Sequence, residues 1–192
     1  LSTSELSGSF IKLSIKGKKS TRERIVRAAV ELAWEVGPAH LSLDAVAARA
    51  GLSKGGLLYS FPSKAKLLEA VVEEYMKEHA RAMAVQEPLQ SSDKNRVARA
   101  FLDVYRMEAD DEPHNCGVLA ALVENPDFII PVRHYHRQLL DRMKSDASDP
   151  VTAMIAYLAT TGLECSRLLD CEVTTEDEQI AVFSRLEKML TL

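Results

Sequence analysis

An all-α fold is predicted by three observations. Apolar residues recur at helical spacing, capping residues stand immediately before those runs, and no segment shows the period-two alternation of a half-buried strand. The chain has 192 residues, 46% of them hydrophobic and 27% charged, a balance that supports a globular core without a membrane span.

Residues 1–17 are Ser-rich, lack a period and lack an initiator Met, so a flexible tail is expected over residues 1–20. From Thr21, the positions Ile25, Ala28, Ala29, Leu32, Ala33 and Val36 form one helical face, which Gly37 and Pro38 end. Ser42 is the N-cap of a short helix bearing Leu43, Val46, Ala47 and Ala50 and closed by Gly51. Ser53 opens a third helix with Leu57 and Phe61 one turn apart, and Pro62 stops it. The tight turn Gly51, Leu52, Ser53 between two short helices makes a helix-turn-helix.

Ser63 caps a long fourth helix in which Leu67, Leu68, Val71, Val72, Tyr75, Met76, His79 and Met83 keep the period to about Pro88. Five more helices are expected: one around Val97, Phe101, Val104 and Tyr105, one over 117–123, one over about 131–143, and two at the C-terminus. Asp149 and Pro150 supply an N-cap and N1 proline for the first of the last pair, and Thr175 with Glu178 a capping box for the second. The first carries Met154, Ile155, Leu158, Gly162, Cys165 and Leu169 beside Tyr157, Leu163 and Leu168; the second carries Ile180, Val182, Phe183, Leu186, Met189 and Leu190. Helices apolar this far round need two partners, and the second is expected to be the same helix pair of another copy in a homodimer.

The formal net charge of -4 conceals a division: residues 16–68 hold ten Lys/Arg against four Asp/Glu, a local +6, and the remainder is -10. The N-terminal segment is built to meet an anion. No apolar run approaches the roughly 20 residues of a membrane span and no leader pattern opens the chain, so a cytoplasmic protein with no membrane partner is expected. Three cysteines, Cys116, Cys165 and Cys171, without a CxxC pair, read as reduced and mostly buried thiols.

The block Ser-Leu-Asp-Ala-Val-Ala-Ala-Arg-Ala-Gly-Leu-Ser-Lys-Gly-Gly-Leu-Leu-Tyr-Ser-Phe-Pro-Ser-Lys over residues 42–64 resembles the DNA-binding domain of TetR-family regulators. The likeness runs from 21 to about 75; the C-terminal half is similar in its all-helical style. It implies a helix-turn-helix domain over 21–66 and an effector-binding and dimerisation domain over 67–192. Two departures stand out: Gly56 occupies a position where the family often carries a Thr-like side chain, and the usual first-helix aromatic falls at Ala33, with Trp34 one place later.

A recognition helix in the major groove, with Leu57 and Phe61 turned inward, presents Lys54, Gly55, Gly56, Tyr59 and Ser60, with Ser53 at its start. Lys64 and Lys66 occupy the first turn of a helix whose positive dipole end repels them, a conflict that a docked DNA phosphate would resolve. Ser42 offers a second phosphate site, and Lys18, Lys19 and Arg22 can reach the neighbouring backbone or minor groove.

The resemblance places an apolar small-molecule effector among the middle helices, where Phe101, Tyr105, His114, Cys116, Leu119, Val123, Tyr135 and Leu139 mix aromatic, soft and polar groups. No metal or cofactor is expected. His134 and His136 point about 200° apart on a helix, His114 and Cys116 read as structural, and the run Glu108, Asp110, Asp111, Glu112 lacks the spacing of a calcium loop. No nucleophile-base arrangement argues for an enzyme. The expected function is a sequence-specific repressor released from its operator by the effector, which shifts the population toward a form whose long fourth helix pulls the recognition helices off register. The alternative is a DNA-binding regulator without a small effector, acting as an activator or through protein partners.

Overall fold

The computed structural model describes residues 20–36, 40–91, 94–109, 118, 121–122, 124–169 and 171–191. The elements are α1 (Thr21–Val36), α2 (Leu43–Arg49), α3 (Lys54–Ser60), α4 (Lys64–Gln86), α5 (Arg96–Ala109), α6 (Ile129–Asp146), α7 (Pro150–Leu168) and α8 (Glu176–Leu190), with 3-10 turns at Glu87–Leu89 and Pro126–Phe128. No strand occurs among the described residues, and none of their helices is long and apolar enough to cross a membrane.

Two compact units form: residues 1–77 with 110–132, and residues 78–109 with 133–192. The division differs from the expected boundary at 66, because Leu67, Leu68, Val71 and Val72 on the first half of α4 are buried in the first unit, as are Val118, Ala121 and Val132.

In the first unit, α1 packs on α2 and α3, and α2 on α3. Each start is fixed locally. Ser20 and Glu23 exchange bonds, Ser20 N–H to the Glu23 carboxylate at 2.9 Å and Glu23 N–H to Ser20 Oγ at 3.2 Å. Ser42 Oγ accepts from Ala45 N–H, Ser53 Oγ from Gly56 N–H and Ser63 Oγ from Lys66 N–H. The turn after α2 is a Schellman motif: Gly51, at φ 66°, donates to the Ala48 carbonyl and Leu52 to that of Ala47. Gly51 is needed there for its backbone, since an added Cβ would meet Arg24 only at an ordinary 3.5 Å. Arg24 donates to the Ala50 carbonyl, tying α1 to the same turn.

In the second unit, α5 packs on α7 and α8, which also pack on each other, around Phe101, Leu102, Leu139, Met143, Ala156 and Leu186. Asn95 fastens this core: it sits at φ 57°, donates from its side chain to the Leu190 carbonyl (2.9 Å) and Ser148 Oγ (3.3 Å), and accepts from Ser148 N–H (3.1 Å). The fourth helix stops at Gln86, two residues before the proline taken as its limit, and α6 starts at Ile129, with Pro131 in its first turn where no N–H is required. Residues 118, 121–122 and 124 are helical, inside or beside the segment expected over 117–123.

The reading of the thiols needs correction. Cys165 and Cys171 are exposed, because Cys165 lies on the outer stripe of α7 and Cys171 follows its end; Cys116 lies outside the described residues. That stripe comprises Val151, Ile155, Leu158, Gly162 and Cys165 within α7 and Leu169 at its C-cap. Their spacing alternates four and three residues, and Val151, Ile155, Leu158 and Leu169 are all exposed.

Candidate nucleic-acid interface

Helix α3 presents one side outward because Leu57 and Phe61 pin the other in the core. Tyr59 is consequently 94% exposed, and Ser53, Lys54 and Gly55 are exposed with it; Gly56 and Ser60 are half-buried. Leu58, also at the surface of α3, was not foreseen. Ser42 is exposed at the start of α2. Arg22 lies with its guanidinium 4.4 Å from the centre of the Phe61 ring, a cation–π contact at the edge of the same unit. Lys18 and Lys19 lie outside the described residues.

Among the described residues, the three lysines of this surface, Lys54, Lys64 and Lys66, all have carboxylate partners. Lys54 pairs with Asp44 at 2.9 Å, Lys66 with Glu69 at 2.6 Å and Lys64 with Glu124 at 3.1 Å. The unfavourable charge at the start of α4 is thus relieved within the chain, and an outside anion is not required for that purpose. Exposed ion pairs such as Lys54–Asp44 and Lys66–Glu69 are worth about 0–1 kcal/mol, so a polyanion can displace them.

In the second unit the sequence-derived effector residues separate into two groups. Phe101 stacks on Tyr157 with centroids 5.6 Å apart and sits 6.0 Å from the His79 ring, while the Tyr135 hydroxyl and His79 Nδ1 are 2.7 Å apart. Tyr105 instead stacks on Phe183 at 5.2 Å, with the Arg167 guanidinium 5.7 Å from its ring centre, and Leu139 is buried in the core. His114, Cys116, Leu119 and Val123 lie outside the described residues.

The histidines at the centre of the first group were missed as site residues. His79 (α4) and His136 (α6) have ring centroids 5.9 Å apart, and His136 packs edge-on to Tyr157 at 6.1 Å. Burial, and secondarily His136, pulls the His79 pKa to about 4, and burial also lowers that of His136. Both rings are therefore neutral at neutral pH. His136 Nδ1 and Thr160 Oγ1 are buried without a hydrogen-bond partner. His134 faces elsewhere, with Nε2 2.9 Å from Gln138 Nε2. No group of three or more His, Cys, Asp or Glu residues suited to a metal occurs among the described residues. Two surface clefts of about 380 Å³ lie elsewhere, one beside Ala84, Glu87, Pro88 and Arg96, the other beside Arg24, Arg27, Glu31 and Arg49.

Residues 25–71 match the family profile described as "Bacterial regulatory proteins, tetR family", and residues 95–191 match "Tetracyclin repressor-like, C-terminal domain". The chain belongs to the TetR family. It is a DNA-binding transcription regulator of that family, and α2 and α3 are its helix-turn-helix. No curated protein matches the sequence. Among solved structures, the fatty acid degradation regulator FadR from Bacillus halodurans is similar at TM-score 0.68 and 17% identity, covering 91% of this chain and 96% of that one. SmeT in its triclosan complex gives 0.66 and 19% over 90% and 91%, and EbrR with malachite green gives 0.61 and 22% over 91% and 100%. These likenesses show the TetR fold.

Proposed function

We propose that this chain is a homodimeric operator-binding repressor that a small, largely apolar effector releases from DNA. The observation that carries the DNA reading is Tyr59, projecting freely from a helix whose opposite face is locked by Leu57 and Phe61. Such a helix can enter the major groove, presenting Ser53, Lys54 and Ser60 as well as Tyr59, with Gly55 and Gly56 letting the backbone approach closely. Ser42 and Lys64 then meet flanking phosphates. Two copies would be joined through the outer stripes of α7 and α8, where Ile155, Leu158 and Ile180 are exposed. Gly162 supports this arrangement, since nothing lies within 4 Å of the Cβ it lacks and a partner helix can approach closely there.

The effector reading rests on the ring cluster around His79, His136, Phe101, Tyr135 and Tyr157, where His136 Nδ1 is buried without a hydrogen-bond partner. EbrR, described as a multidrug binding protein, is complexed with malachite green, and SmeT with triclosan, which supports a ligand-responsive role.

The test is binding across a salt series to a duplex selected by the protein from a random library. Tight, salt-dependent binding is expected, weakened about tenfold by Tyr59→Ala and with its salt slope reduced by about one by Lys64→Ala. Wild-type behaviour in both variants would defeat the interface. A compound that binds the second unit tightly and leaves DNA affinity unchanged would count against release by that compound. A protein that binds DNA but is released by no member of a broad compound set favours regulation through protein partners.

A further inference from the structure

Lys64 stands at the start of α4, where the helix dipole disfavours a cation, and its ammonium is held 3.1 Å from the Glu124 carboxylate. This pair differs from its neighbours. Lys66–Glu69 joins residues one turn apart on one helix, with side chains 62% and 44% exposed, and Lys54–Asp44 is 58% and 67% exposed. Lys64 and Glu124 are only 29% and 37% exposed, and the carboxylate comes from a separate segment of the chain.

That segment holds Glu124 in place. Val118 and Ala121 are buried in the first unit, Asn125 N–H donates to the Ala121 carbonyl at 2.9 Å, and Asn125 Oδ1 accepts from Asp127 N–H at 3.0 Å. Pro126 further stiffens the turn that follows. The result is an anion fixed beside the lysine and helix start at which a DNA phosphate would dock.

An ammonium shared between a carboxylate and a phosphate brings two anions together, and the repulsion rises as water is excluded. We propose, building on the DNA-binding reading above, that Glu124 is an internal stand-in for phosphate at Lys64. Operator binding then proceeds by exchange of the carboxylate for phosphate, and Glu124 is a positioning residue that restrains affinity. Its chemistry requires a polyanionic backbone as the incoming partner and is indifferent to base sequence.

A double-mutant cycle tests this, with wild type, Glu124→Gln, Lys64→Gln and the double variant measured on the selected duplex and on an unrelated duplex at several salt concentrations. Removing the competing charge is expected to tighten binding about two- to fivefold on both duplexes at low salt, fading as salt screens the pair. In the Lys64→Gln background the same change is expected to do nothing. Thermal melts followed by circular dichroism separate this from a structural role, and Glu124→Ser serves where the Gln variant melts early. Unchanged or weaker binding by Glu124→Gln, or equal tightening without Lys64, overturns the exchange while leaving the DNA-binding reading intact. A wild-type protein that binds neither duplex at low salt overturns both.

Discussion

Placing a carboxylate on the outer stripe of α7 should break the proposed dimer. Burying an aliphatic side chain stabilises by about 1.5–3 kcal/mol, and Leu158 is 66% exposed, so covering the remainder is worth about 1–2 kcal/mol in each copy. Val151, Ile155, Leu169 and Ile180 are each between 44% and 61% exposed and add similar amounts. Summed over both copies, the gross gain is roughly 10–15 kcal/mol, against an association cost of about 4–15 kcal/mol. Dimerisation is therefore sensitive to a single position. Leu158→Asp removes about 2–4 kcal/mol over two copies and adds two carboxylates to a face that must dry, so the dimer dissociation constant should rise at least about 100-fold. Sedimentation velocity from nanomolar to micromolar protein checks this, with circular dichroism confirming intact helices. A wild-type protein that is monomeric throughout, or a variant that dimerises like wild type, would refute the reasoning.

Asn95→Ala should cost about 3 kcal/mol, since it orphans the Leu190 carbonyl and Ser148 N–H and leaves a Cβ residue at positive φ without local hydrogen bonds. Urea denaturation would show it, and a shift below about 0.5 kcal/mol would discard the account. His79 makes stability depend on pH. Its ring protonates in the unfolded chain below the ordinary 6.5 but in the folded protein only near 4, so its contribution to stability should be lost as pH drops through that window. The loss from this group is about 3 kcal/mol, with His136 adding in the same direction. Urea midpoints between pH 7 and 4 for wild type and His79→Gln test it; equal pH dependence in the two would remove the explanation.

The helix-turn-helix was largely legible because its determinants are local. Ser42, Ser53, Gly51 and Leu57 act within one or two helical turns, so cap, turn and buried face follow from spacing alone. The Ser20–Glu23 box was equally local and was overlooked, although Ser, Glu three places on and an apolar run form its signature. The ring cluster was only half visible: Phe101 and Tyr135 belong to it, but Tyr105 faces Phe183, and His79 read merely as one more position on a periodic face. Which residues of different helices meet depends on rotation and crossing angle, and helical period leaves both open.

By itself, then, the sequence determined the all-helical class, the helix-turn-helix, the caps of α7 and α8, and the apolar excess on those two helices, all consequences of interactions between residues a few positions apart. Only the tertiary structure decided that Glu124 occupies the ammonium of Lys64, that Asn95 joins α5 to the end of α8, and that His79 meets His136 and Tyr135. The physical reason is that a charge, a donor or a ring finds a distant partner through the packing of whole helices, and packing is a property of the folded core that no short stretch of sequence contains.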